Sequence, residues 1–214
     1  MTAGTRDFDS GPILISAFSR RVVVAPPWKW SMGPATPAGL LVAFAGAVVV
    51  RTAIAGPAGA RSVAGSLTFA TVLALVAVGC RARPEVSVRI LATGVGVAAL
   101  LALPALLHLG IRASLPVGDF PAWAVLTTFV AGAEEAFLRG ALFDAVHRRS
   151  GADAAVVVAA VAFAALHVPL YGWHAVPLDL AVGLVLGATR LVAGTWTAPA
   201  IAHIGADLAG WWVL

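Results

Sequence analysis

The chain has 214 residues, of which 60% are hydrophobic and only 11% are charged, and its net charge is +4. A soluble domain of this length carries about a quarter charged residues, so the composition excludes a soluble globular protein. The excess positive charge comes from arginines in short loops, which is typical of membrane topology and not of nucleic-acid binding. We therefore expect the lipid bilayer as a partner and no nucleic acid.

The first 36 residues form a tail ahead of the first long apolar stretch. A short apolar run in this tail ends at Arg20 and Arg21 and has no small-residue cleavage site, so it does not have the form of a signal peptide. We predict that residues 1–36 are a cytoplasmic or interfacial tail and that residues 37–214 form a single transmembrane domain.

Seven apolar stretches approach the roughly 17–25 residues that a membrane-spanning helix needs. Glycine and proline residues separate them. The stretches lie at about 38–55, 63–80, 88–110, 122–146, 152–170, 175–192 and 196–213. The sequence therefore predicts an all-α, polytopic transmembrane helix bundle of about seven spans. Arg51 falls within the first stretch, and we expect it to lie near a helix end and to extend its side chain to the interface.

The tryptophans lie at the ends of these stretches or in the connecting segments, where an aromatic belt is expected. Arginine and lysine are concentrated in the tail and in the loops that share its side of the membrane. Because positive loops favour the cytoplasmic side, this pattern predicts a multi-pass protein of the plasma membrane with a cytoplasmic N-terminus. Seven spans then place the C-terminus outside.

The fourth stretch contains the pattern Glu134-Glu135-x-x-x-Arg139. A charge at mid-bilayer costs about 2.5–3.5 kcal/mol, so such residues pair, line a cavity or take part in chemistry. Glu135 and Arg139 are four residues apart and share a helix face, which predicts an ion pair. Glu134 is turned about 100° away by the helical period and has no partner on its own helix. It is therefore predicted to be a free carboxylate that acts as a general base.

The fifth and seventh stretches repeat the four-residue spacing, in Phe163-x-x-x-His167 and His203-x-x-x-Asp207. We expect Phe163 to shape a pocket by packing. One carboxylate and two imidazoles can activate a water molecule and stabilise an oxyanion. The same groups, Glu134, His167 and His203, could instead bind a divalent metal such as zinc. Either arrangement favours hydrolysis of an amide within or beside the membrane.

Other hydrolase signatures are absent from the sequence. There is no His-Glu-x-x-His pattern for a zinc site on one helix and no Gly-x-Ser-x-Gly pattern for a serine nucleophile. Cys80 is the only cysteine, which excludes an intrachain disulfide, and it lies far in sequence from any histidine.

The ordered set of Glu-Glu-x-x-x-Arg, Phe-x-x-x-His and His-x-x-x-Asp in apolar helices resembles the CPBP family. This family includes CAAX-type prenyl endopeptidases and bacteriocin-processing or self-immunity (Abi) membrane proteins. The resemblance covers roughly residues 122–213, the expected catalytic part, while the first three stretches match only as generic membrane helices. It implies an intramembrane endopeptidase with a peptide or protein substrate, lipidated or not.

The resemblance implies a catalytic set of six residues: Glu134, Glu135, Arg139, His167, His203 and Asp207. In the family mechanism, Glu134 activates the attacking water with help from His167. His203 and Asp207 would hold the oxyanion. Glu135 and Arg139 would maintain the helix and orient the site.

One position departs from the family pattern. Asp207 stands where prenyl endopeptidases of the family commonly have asparagine, and an ionised aspartate cannot donate a hydrogen bond to an oxyanion. Asp207 would instead be protonated, orient His203 or help to hold a metal. The family is described both as metalloproteases and as metal-free glutamate peptidases, so no cofactor is assigned and zinc stays an alternative.

Three further expectations concern placement. Asp179 in the sixth stretch is the best candidate for an additional site residue, and Gly183-x-x-x-Gly187 is typical of helix packing. Glu134 and His203 are expected near mid-depth, whereas His167 falls closer to the outer end of its helix. A tilt or a shift of about one turn, 5.4 Å, would bring these residues level.

Two other functions stay open. The protein could be a non-proteolytic membrane factor of the self-immunity type, in which the motif residues are structural. It could also translocate ions or protons, because carboxylate–histidine chains serve in proton relays. The translocator ranks last, because the first three stretches supply almost no polar residues along a path.

Overall fold

The computed structural model describes residues 35–108 and 119–211, with the backbone alone for residues 104–108. The predicted N-terminal tail, residues 1–36, lies outside the described residues except for its last two positions.

Within these ranges every regular element is a helix and none is a strand. The α-helices are α1 (Pro37–Ala55), α2 (Val63–Gly79), α3 (Val88–His108), α4 (Phe120–Glu135), α5 (Phe143–Ser150), α6 (Ala152–Tyr171), α7 (Val176–Ala193) and α8 (Thr197–Gly210). A π-helical segment, Ala136–Leu142, joins α4 to α5, so these three elements form one continuous rod. The described residues thus form seven helical rods, one for each predicted stretch. The predicted all-α membrane helix bundle is confirmed.

The surface of the bundle is apolar, as a lipid-facing surface should be. By length and composition, three described segments are able to cross a membrane: Pro37–Arg61, Ala152–Tyr171 and Trp173–Ala193. Val63–Gly79 and Val88–Leu103 are shorter apolar helices. Val42, Val78 and Val125 on α1, α2 and α4 are each at least 70% exposed. Exposed apolar side chains in such numbers need a membrane or a partner to cover them.

Polar side chains fix where several helices begin. The Thr36 hydroxyl accepts a hydrogen bond from the Gly39 amide at 3.1 Å, and Ser62 and Asp119 cap α2 and α4 in the same way. These caps satisfy amides that the first helical turn leaves without partners. Gly194 ends α7 with φ at 75°, a left-handed conformation that favours glycine.

Three aromatic rings join α1 and α2 to the π-helical segment. Phe44 stacks on Phe137 with ring centres 5.5 Å apart and tilts against Phe69 at 6.2 Å. All three side chains are at most 5% exposed. This contact brings the inner face of α1 against the helix that carries the acidic motif.

The predicted packing of Gly183 and Gly187 is confirmed at the contact between α6 and α7. A Cβ atom added to Gly183 would lie 2.9 Å from the Ala160 Cα, and one added to Gly187 would lie 2.9 Å from Val156. Both glycines are buried. The backbones approach so closely that only hydrogen fits between them, as in other small-residue contacts of membrane helices.

Adding one methyl group at this contact should destabilise the bundle. Gly183→Ala is expected to lower the free energy of unfolding by about 1–3 kcal/mol, because the backbone of α6 must move away. Gly46→Ala is the matched control, because nothing lies within 4 Å of a Cβ atom at that position. The control should be neutral or slightly stabilising, since alanine is the better helix former. Thermal unfolding in detergent measures the stability of both variants. Equal unfolding temperatures for Gly183→Ala and Gly46→Ala would contradict the close contact.

Candidate active site

The predicted ion pair between Glu135 and Arg139 is confirmed. Arg139 Nη1 donates to Glu135 Oε1 at 2.7 Å, and both side chains are fully buried. Arg139 Nη2 donates to the carbonyl oxygen of Gly183 at 3.1 Å. The guanidinium therefore neutralises the acid and also ties the fourth rod to α7.

The π-helical segment begins directly after the two acids. Arg190 of α7 donates from Nε to the Arg139 carbonyl oxygen at 2.9 Å and from Nη2 to Asp144 at 3.0 Å. A π turn widens the helix and disturbs the ordinary carbonyl pairing, so a side-chain donor at this carbonyl stabilises it. Such π segments are frequent at functional sites. Neither the π segment nor the role of Arg190 had been predicted.

His203 lies between two carboxylates. Its Nδ1 is 3.0 Å from Glu135 Oε1, and its Nε2 is 3.5 Å from Asp207 Oδ2. The predicted neighbours His203 and Asp207 therefore do meet on α8. The contact with Glu135 was missed, because it joins residues 68 positions apart. Glu135 thus connects Arg139 on its own rod to an imidazole on α8.

His167 is held by the backbone of its own helix. Its Nδ1 is 2.9 Å from the Phe163 carbonyl oxygen, which can only accept, so Nδ1 carries the hydrogen. In the neutral ring Nε2 is then the nitrogen with the lone pair. Asp179 Oδ2 lies 3.8 Å from Nδ1, with its side chain 17% exposed. The structure thus places Asp179, the expected additional site residue, beside this imidazole.

The ring of Phe163 contacts both imidazoles. Its centre is 4.7 Å from that of His167 and 5.2 Å from that of His203, and the Arg139 guanidinium carbon lies 5.0 Å from it. Phe163 is 2% exposed, as its predicted packing role requires. One ring therefore touches both histidines, as convergence of α6 and α8 on one site requires.

Glu134 is 3% exposed, and its nearest charged partner comes from α1. Arg51 Nη1 lies 3.7 Å from Glu134 Oε1, and the Arg51 guanidinium carbon lies 4.9 Å from the centre of the Phe69 ring. Arg51 itself is 7% exposed. Two expectations are therefore wrong: Glu134 is not a free carboxylate, and Arg51 does not extend to the interface.

Arg51 points inward because it lies on the buried stripe of α1. This stripe consists of Leu40, Phe44, Ala47, Arg51 and Ala55, spaced as residues on one helix face. Arg51 follows Phe44 by seven residues and so points in the same inward direction. The lipid-facing side of α1 is also apolar, with Val42, Val49 and Ile54 exposed, so the sequence alone does not distinguish the buried stripe from it.

The structure brings the predicted groups into one cluster. Glu134 is within electrostatic reach of His203, His167, Arg51 and Asp207. These groups come from four different rods, of which α1 was not expected. A cavity of about 370 Å³ elsewhere in the bundle is lined by apolar residues of α6 and α7, with Trp173 between them, and by none of the six predicted residues.

The described side chains do not form a ready-made set of metal ligands. Across residues 35–103 and 119–211, no three His, Cys, Asp or Glu side chains are arranged as a group that could hold a metal ion. Glu134, His167 and His203 therefore do not form a set of metal ligands in this conformation. Both nitrogens of His203 already face carboxylate oxygens.

Fold and site together define a multi-pass membrane protein with a buried carboxylate–imidazole cluster. Residues 116–209 match the model of the Rce1-like family, described as type II CAAX prenyl endopeptidase Rce1-like. The match confirms the resemblance that the three motifs predicted, and it supports a CAAX-type membrane protease with a peptide or protein substrate. No curated protein and no solved structure matches the chain.

Proposed function

We propose that the protein is an intramembrane endopeptidase in which Glu134 activates a water molecule for attack on a peptide bond. The observation that carries this proposal is the placement of Glu134. Its carboxylate is 3% exposed and lies among His167, His203 and Arg51, which come from three other rods. A buried acid with such neighbours has a cost that a structural role alone does not explain.

The first step forms the tetrahedral intermediate. Glu134 accepts a proton from water, and the resulting hydroxide oxygen forms a bond to the carbonyl carbon of the substrate. The electron pair of the carbonyl π bond moves to the carbonyl oxygen, which becomes an oxyanion. His167 assists through Nε2, which can accept a hydrogen bond from the water while Nδ1 stays on the Phe163 carbonyl.

The second step breaks the peptide bond. The oxyanion reforms the carbonyl, the bond between carbon and nitrogen breaks, and the leaving nitrogen takes the proton that Glu134 holds. The products are a carboxylic acid and an amine, and Glu134 returns to its carboxylate form. No covalent enzyme intermediate is needed.

The remaining residues position these groups. Glu135 holds His203 through Nδ1, and Arg139 holds Glu135, so the imidazole orientation depends on a fully buried pair. Asp207 faces Nε2 of His203 at 3.5 Å. Of the three roles considered for Asp207, orientation of His203 is the one that this contact supports.

The experiment is cleavage of a quenched fluorogenic peptide library by purified protein in proteoliposomes, with and without 1,10-phenanthroline. We expect cleavage that the chelator leaves unchanged, because the described residues form no metal-binding group. Loss of cleavage on chelation would contradict the metal-free mechanism. No cleavage of any peptide would contradict the endopeptidase and favour a non-proteolytic membrane factor.

A further inference from the structure

We infer that Arg51 is a catalytic residue that stabilises the oxyanion of the tetrahedral intermediate. This inference rests on the proposed peptidase function and extends it to a residue outside the family match at 116–209. It assigns a chemical role to α1, which the three motifs do not include.

The first argument is the position of the guanidinium. Arg51 Nη1 lies 3.7 Å from Glu134 Oε1, which is close enough for strong attraction but longer than a hydrogen bond. The guanidinium also lies over the face of the Phe69 ring. A guanidinium has five N–H donors, and a position 3.7 Å from the Glu134 carboxylate puts them within reach of an oxygen atom that approaches Glu134. An oxygen atom bound to the attacked carbon would be such an atom.

The second argument comes from the other groups around Glu134. Asp207 cannot donate when ionised, and each nitrogen of His203 already faces a carboxylate. His167 donates from Nδ1 to a backbone carbonyl. Arg139 is fully buried, with Nη1 on Glu135 and Nη2 on the Gly183 carbonyl, while its Nε is buried without a hydrogen-bond partner.

Arg51 is therefore a permanently charged group that can approach a negative charge next to Glu134. A guanidinium keeps its charge at any pH at which a protein is folded. In a site with little water, a fixed positive charge stabilises a developing oxyanion far more than it would in solution. The same charge attracts the Glu134 carboxylate, which explains the ion pair between them.

The test compares two substitutions at this position. Arg51→Gln keeps hydrogen-bond donors but loses the charge, and Arg51→Lys keeps the charge but loses the planar donor group. With the best-cleaved peptide of the fluorogenic library, we expect Arg51→Gln to lower kcat by about 10²–10³-fold with KM little changed. Arg51→Lys should have an intermediate kcat. The control is Arg61→Gln, an exposed arginine after the same helix, which should leave kcat unchanged.

Separate outcomes distinguish this inference from the proposed function. Cleavage by the unsubstituted protein together with full kcat in Arg51→Gln would overturn the role of Arg51 and leave the peptidase intact. A purely structural role predicts equal losses of unfolding temperature in both variants, with kcat unchanged for the folded fraction. If Arg51→Gln does not fold, the kcat of Arg51→Lys decides: an unchanged value overturns the inference. Absence of cleavage by the unsubstituted protein overturns both proposals.

Discussion

Replacing Glu134 with glutamine is expected to remove peptide cleavage while the bundle stays folded. Glutamine has the same shape but cannot take a proton from water, so the nucleophile is no longer formed. Loss of a general base alone costs about 10²–10⁴-fold in rate, and we expect a loss in the upper part of this range. The buried site should tolerate the change, because Arg51 keeps a polar oxygen as its neighbour.

The measurement is kcat/KM for the best-cleaved peptide, with the unfolding temperature recorded on the same preparations. Glu85→Gln is the matched control, because Glu85 lies exposed between α2 and α3 and should retain full activity. Retained cleavage in Glu134→Gln would reject this residue as the base. A loss of cleavage accompanied by unfolding would assign it a structural role.

Replacing Arg139 with methionine is expected to have the largest effect on stability. The change leaves Glu135 fully buried without its 2.7 Å partner and also frees the Gly183 carbonyl. Removing one member of a buried ion pair costs about 3–5 kcal/mol. Because Glu135 also holds His203, the folded fraction should lose activity as well.

Thermal unfolding in detergent measures the effect, with Arg149→Met as the control. Arg149 is exposed at the end of the same rod, so its loss should change the unfolding temperature little. The double variant Arg139→Met, Glu135→Leu should recover part of the stability, because it removes both buried charges. An unfolding temperature for Arg139→Met equal to that of the control would show that the buried pair does not stabilise the bundle.

Helix positions were largely predictable from hydropathy and from glycine and proline punctuation. The predicted stretch 152–170 corresponds to Ala152–Tyr171, and the predicted stretch 63–80 corresponds to Val63–Gly79. The fourth rod is longer than predicted, because it continues through the polar residues of Phe143–Ser150. Polar residues beyond an apolar stretch can remain helical, and hydropathy does not detect this.

Contacts within one helix were also predictable, because helical spacing fixes which side chains are neighbours. The pairs Glu135 with Arg139 and His203 with Asp207 both follow from a separation of four residues. The π segment was not predictable in the same way. It depends on contacts from α7, including the Arg190 hydrogen bond to a backbone carbonyl.

Contacts between rods were the part that the sequence could not specify. His203 meets Glu135, and Arg51 meets Glu134, only because the rods pack in a particular arrangement. The charge of Arg51 favours the membrane interface, which is why the sequence predicts an outward side chain. Its place on the buried stripe of α1 directs the side chain inward instead. In this case tertiary packing decided the direction of the side chain.

The most direct measurement is an experimental structure with a phosphonate analogue of the best-cleaved peptide, since its tetrahedral phosphorus imitates the attacked carbon. We expect one phosphonate oxygen within about 2.6–3.2 Å of the Glu134 carboxylate, with the phosphorus between α4, α6 and α8. A phosphonate bound at any other place on the bundle, with Glu134 remote from it, would contradict the proposed peptidase site.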